Sequence, residues 1–125
     1  MLNEIIDKYG KFPDSLIKVV KYSISISEKN DDSVETIISC FNGKEENKRE
    51  IIRIIFKNIE LIKFSQINCF PSLFLNEIYI KKENNGLITF DFFPIDHFDY
   101  LEENPNSNLI IKCKNIEYEI ITVEV

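Results

Sequence analysis

Hydrophobic positions along this chain fall on two periods. Leu2, Ile5, Ile6 and Tyr9 recur at i, i+3, i+4 and i+7, which places them on one face of a short helix. Asn3 can cap its start, and Gly10 can close it with positive φ. Phe12-Pro13-Asp14 ends that pattern. From Ser15 the period becomes two. Val20, Tyr22, Ile24 and Ile26 alternate with Lys21, Ser23, Ser25 and Ser27, as in a strand with one polar face. Glu28 to Ser33 reads as a polar loop, and Val34 to Phe41 as a second strand. Asn42-Gly43 favours positive φ at both turn centres and marks a hairpin, whose loop the charged run Lys44–Glu50 lengthens.

Ile51 to Phe64 fits both periods. Ile51, Ile52, Ile55, Phe56, Ile59 and Ile62 would share a helix face. Ile52, Ile54 and Phe56, then Ile59 and Leu61 after a one-residue slip, would share a strand face, with a bulge or tight turn at Lys57-Asn58. Stiff β-branched side chains favour two strands, and a helix stays as the alternative. Pro71 ends the next loop, and Phe74 to Lys82 reads as a strand. Asn85-Gly86 turns the chain into Leu87–Phe93, with Ile88, Phe90 and Phe92 inward and Asp91 outward. Pro94 stops that strand. Asp96 can cap a short helix near 96–103, with Asp99 at its third position, Phe98 and Leu101 as anchors and Pro105 as its end. Asn108–Cys113 and Ile116–Val125 are two last strands, split at Lys114-Asn115.

These elements predict an α+β, mainly β fold. Seven or so short strands joined to sequence neighbours suggest an antiparallel meander sheet or a small β-sandwich of about seven to eight strands, with two short helices. No helices alternate with the strands, which argues against a doubly wound sheet. The 125 residues suit a single domain, 1–125. A chain of this size buries roughly two-thirds of its unfolded surface without help from a disulfide or metal.

Charge sharpens the picture. The net charge is −6, and residues 1–62 hold 11 acids and 10 bases while residues 63–125 hold 10 acids and 5 bases. An acidic surface repels nucleic acid and anionic membrane and attracts basic partners, so direct nucleic-acid binding is not expected. Cys40, Cys69 and Cys113 are odd in number, widely spaced and set among apolar residues. They read as buried reduced thiols of a cytoplasmic protein. The first residues lack the pattern of a signal peptide, and no apolar run approaches the ~18 residues of a membrane helix.

Few residues suggest chemistry. His97 is the only histidine and lies between Asp96 and Phe98-Asp99. One histidine with local aspartates is a poor metal set, so no metal or other cofactor is expected, and a histidine beside capping aspartates is the plainer reading. No nucleophile elbow surrounds a serine, and no glycine-rich phosphate motif is present, so catalysis is not expected. Adjacent acids such as Glu45/Glu46 read as solvated surface. The stretch Glu83–Ile111 differs in kind. It holds six acids and no lysine or arginine. Asp91, Asp96, Asp99, Tyr100, Glu102 and Glu103 crowd beside Phe93 and Phe98 there. Interfaces combine aromatic anchors with charges that steer a partner, so these six are the candidate partner-binding residues. A solvated acidic turn over core aromatics is the competing account.

The segments REIIRIIFKNIELIKF, ENNGLITFDFF and NLIIKCKNIEYEI carry a resemblance. Their rhythm of strands over most of the chain resembles the small acidic immunity proteins of bacterial polymorphic and contact-dependent growth inhibition toxin systems. The resemblance implies a non-enzymatic cytoplasmic protein that binds a cognate, basic toxin domain, such as a nuclease, and blocks its active site or substrate groove. The other function open to such a sequence is a self-associating structural or accessory β-domain, with edge residues Ile116–Val125 pairing between copies. Composition decides neither the toxin nor whether the protein is a monomer or a homodimer.

Overall fold

A computed structural model describes residues 1–24, 32–45, 48–65 and 73–124. The chain runs α1 (Leu2–Tyr9), β1 (Ser15–Ser23), β2 (Ser33–Asn42), β3 (Lys48–Phe64), β4 (Leu73–Leu75), β5 (Tyr79–Lys82), β6 (Ile88–Asp91), β7 (Ile95–Asp96), β8 (Leu101–Glu102) and β9 (Leu109–Glu124). The fold is α+β and mainly β, as the periodicity predicts. One curled antiparallel sheet has the order β4-β1-β2-β3-β9-β6-β5, and β7 and β8 form a separate two-stranded hairpin.

The two longest strands organise the sheet. β3 has 17 residues and β9 has 16, and they pair from Arg49↔Glu124 to Phe64↔Leu109. β2 pairs only with the Lys48–Lys57 part of β3. β6 pairs only with Ile110–Cys113 of β9. Both long strands therefore serve two halves of the sheet, and they bend between them. The register slips between Ile59 and Leu61, and Asn58 adopts a positive φ of 56°. Lys57 faces Asn115 across the ladder, and the Asn115 amide donates to Asn58 Oδ1. The two breaks expected at Lys57-Asn58 and Lys114-Asn115 are thus one shared bend, and neither strand is split. Ile52, Ile54 and Phe56 are all fully buried, a period of two that excludes the helical alternative.

The strand expected over Phe74–Lys82 is interrupted. Between β4 and β5 the chain crosses from one end of the sheet to the other. Asp14 N donates to the Asn76 carbonyl at 3.2 Å, and Ile78 N donates to the Lys11 carbonyl at 2.7 Å. These bonds draw the two outer strands toward one another and curl the sheet. The loop between α1 and β1, which makes these two bonds, has unusual backbone, with Gly10, Phe12 and Asp14 at φ 60°, 56° and 51°. Phe12 is nevertheless fully buried and stacks on Tyr9 at 5.5 Å. Burial of that ring offsets the left-handed conformation, which costs on the order of 1 kcal/mol in a non-glycine residue.

The helix buries Leu2, Ile5 and Tyr9, while Ile6 stays 40% exposed. Its N-cap is Met1 rather than Asn3, which lies inside the first turn. Gly10 closes it, its N–H donating to the Ile6 carbonyl at 2.8 Å. In the core, Phe56, Phe90 and Phe92 pack edge to face and tilted, the first pair at 5.1 Å between centroids. Edge-to-face pairs add about 1 kcal/mol each beyond area burial.

Polar groups are built into this core, and Glu50 is one that carries a carboxyl. Glu50, expected in the β2–β3 loop, lies in β3 and is 3% exposed. Its carboxylate accepts hydrogen bonds from Tyr9 Oη at 2.6 Å and Asn42 Nδ2 at 2.9 Å. Burial first, and then the Glu50 contact, hold the Tyr9 phenol well above its ordinary range. The hydroxyl ties α1 to the sheet and satisfies a desolvated charge. Tyr9→Phe is expected to cost about 2 kcal/mol, because it leaves that carboxylate one donor short. Urea unfolding of the variant, with an unchanged slope, measures the loss.

Cys40 and Cys113 are buried free thiols, and Cys69 lies outside the described residues. Burial pushes Cys40 up to about 12 and Cys113 up to about 11 from the ordinary 9.0. A raised acid gives stability that is complete below the unfolded value and is lost as pH rises through the folded one. For these thiols the loss falls between pH 9 and about 12. At neutral pH neither thiol is expected to react with a disulfide reagent until the protein unfolds. Mass spectrometry of native and urea-treated protein would locate the label.

Candidate functional site

The six predicted site residues all lie on or beside the chain that leaves β6 and returns into β9. Asp91, the last residue of β6, is fully buried. Its Oδ1 accepts from Phe93 N at 3.0 Å and its Oδ2 from Asn104 N at 2.7 Å. The Asn104 side chain donates to the Phe93 carbonyl at 3.1 Å. Asp91 and Asn104 thus clamp the two ends of the excursion that carries the hairpin. Asp91 works inside the fold and does not offer its carboxylate to a partner.

The short helix expected near 96–103 is absent, and a two-stranded hairpin stands in its place. Ile95 pairs with Glu102 and Asp96 with Leu101. His97 N donates to the Tyr100 carbonyl at 3.0 Å and closes the turn. Asp96 was expected to cap a helix, but its Oδ1 accepts from Phe98 N at 2.8 Å in a local side-chain turn. Such turns compete with helix formation, and the ten residues between Pro94 and Pro105 are too few to sustain a helix against them. Phe98 therefore takes a positive φ of 76° and is fully exposed at the hairpin tip, rather than anchoring anything in the core.

The remaining candidates divide by what they touch. Glu103 pairs with Lys112 Nζ at 3.2 Å. Glu102 meets His97 Nε2 at 3.1 Å. The His97 ring stacks on Tyr100 at 4.5 Å and 18°. Asp96, Asp99 and Tyr100 are exposed on the hairpin itself. The hairpin has a cleft on each side. One, of about 160 Å³, lies between Asp96, Pro94 and the 60%-exposed Phe74. The other, of about 310 Å³, lies between the hairpin and α1. Asp96, Asp99 and Tyr100 are thus brought to one protrusion, Glu102 and Glu103 stand at its base against His97 and Lys112, and Asp91 is withdrawn.

Phe98, Phe74 and Ile6 were not among the sequence candidates, yet they are the exposed apolar groups around this protrusion. Phe98 alone carried a signal. A phenylalanine inside Asp-His-Phe-Asp sits where aspartate favours turns over helices.

Among the described residues no three metal-binding side chains converge. No helix among them is long and apolar enough to cross a membrane. The arrangement offers an aromatic knob on a hairpin, with carboxylates around it, a polar cleft on one side and an apolar cleft on the other. No protein-family model, curated protein or solved structure matches this chain.

Proposed function

We propose that this protein is an immunity protein, which binds a cognate bacterial toxin domain in the cytoplasm and covers its active site or substrate groove. The observation that carries the reading is Phe98, a fully exposed phenylalanine in left-handed backbone at the tip of a clamped hairpin. Residues held in disfavoured backbone with a large apolar side chain in water have a cost within the monomer, and they persist where a partner uses them. An aromatic anchor inserted in a pocket is the usual centre of a tight interface. Asp96 and Asp99 beside it, and the net charge of −6, favour a basic partner and speed its encounter. The protein acts here by occlusion, with no catalytic step of its own.

Self-association along β9 has less support. β6 leaves the far edge of β9 beyond Cys113 without a strand neighbour among the described residues. That edge is interrupted by a register shift opposite Ile51/Ile52 and carries Glu117 and Glu119, features that discourage strand addition. Both acids already pair with Lys57 and Arg53 of β3.

The test is co-expression with the toxin-like protein encoded by the adjacent reading frame. Rescue of growth together with a co-purifying complex supports the proposal. A neighbouring frame that encodes no toxin, or toxicity that persists with no complex formed, overturns it.

A further inference from the structure

The cleft between α1 and the hairpin has a chemistry of its own. Its walls are Ile6, Ile78 and Ile80, and its rim carries Asp99 and Tyr100. Tyr100 is fixed by stacking on His97, so its ring is a rigid platform. The other hairpin acids are engaged, Asp96 with Phe98 N, Glu102 with His97 and Glu103 with Lys112. Asp99 has no polar partner among the described residues. A carboxylate at the mouth of an apolar cleft, beside an aromatic face, is a complete set of contacts for one side chain.

We propose that this cleft receives an arginine side chain of the partner protein, an inference that rests on the docking role of the hairpin. The methylene stem of arginine lies along Ile6 and Ile80, as long cationic side chains do on apolar surface. The planar guanidinium stacks on Tyr100 and bonds Asp99 in a fork, which a lysine ammonium does not reproduce. The cleft volume of about 310 Å³ is at the lower limit for ligand pockets and suits one side chain better than a cofactor. Lys11 lines the same cleft, and its positive charge opposes a second cation there.

The two opposite charges in the cleft supply the test. The full chain is titrated with N-acetylarginine methylamide, and in parallel with the lysine and citrulline analogues, while backbone amide shifts are followed by NMR. Saturable shifts confined to Ile6, Ile80, Asp99 and Tyr100 are expected, with the arginine analogue bound best. Asp99→Asn should weaken it by about tenfold, as for loss of a charge-assisted pair. Lys11→Ala should tighten it by about threefold, by removing a like charge from the cleft. Absence of saturable shifts, equal binding of the citrulline analogue, or weaker binding in Lys11→Ala overturns the proposal. No toxin enters this measurement, so its failure leaves the hairpin reading intact, and a missing toxin leaves the cleft result standing.

Discussion

Asp91→Ala is expected to destabilise the protein by about 3 kcal/mol, since two backbone donors lose their acceptor in a buried place. The donors are Phe93 N and Asn104 N, the two ends of the excursion that bears the hairpin. Without the carboxylate, residues 93 and 104 keep the Asn104 side chain on the Phe93 carbonyl and the Ile95–Glu102 pairing of the hairpin, but lose the bridge between their amides. Hydrogen exchange should therefore show the amides of Phe93 and Asn104 losing protection before the rest of the sheet. Asp91→Asn should fall between the two, because a carboxamide keeps one acceptor oxygen but sets its own N–H groups against the second donor. Urea unfolding gives the size of the loss. A change below about 1 kcal/mol in Asp91→Ala would mean that the clamp has little strength.

Phe98→Gly should separate stability from binding. Glycine accepts φ of 76° without strain, so the monomer is expected to gain about 0.5–1 kcal/mol. No packing is lost, because the ring touches only water. Affinity for the cognate toxin should fall by about 3 kcal/mol, roughly a hundredfold, as for the loss of a central aromatic anchor. Thermal melting and titration calorimetry on the same samples measure the two effects. A variant that melts higher and no longer protects cells would identify the tip as the binding element. Undiminished protection in Phe98→Gly would place the interface on another face.

Much of the scaffold was legible in the sequence because its signals are local. The Asn85-Gly86 turn forms as expected, with Glu83 N donating to the Leu87 carbonyl at 2.8 Å and Gly86 at φ 89°. Ile88, Phe90 and Phe92 reach the core as their alternation requires. The length of β3 was not legible. The slip at Asn58 is visible in the pattern, but only pairing with Asn115, far along the chain, keeps the strand continuous through it. Asp91 was assigned to the face opposite the core, and it does point away from Phe90. Its burial comes from Asn104 folding over that face, a contact no periodicity reports. At 96–103 two local signals conflict, capping for a helix and side-chain turns against it. The choice rests on the clamp at Asp91 and Asn104, which brings the chain ends close enough for a hairpin.

The central place of β9 has a consequence for how this chain acquires its shape. β9 lies between β3 and β6 in the sheet, yet it is synthesised after every other described strand. Until it emerges, β3 lacks one neighbour and the β5–β6 pair has nothing to lean on. Assembly therefore waits for translation to reach residue 124, and it requires contacts between segments some sixty positions apart, such as Lys57 with Glu117. Topologies dominated by such distant pairings fold slowly, on the order of milliseconds to seconds. A newly made copy would spend that interval unable to present its hairpin to any partner.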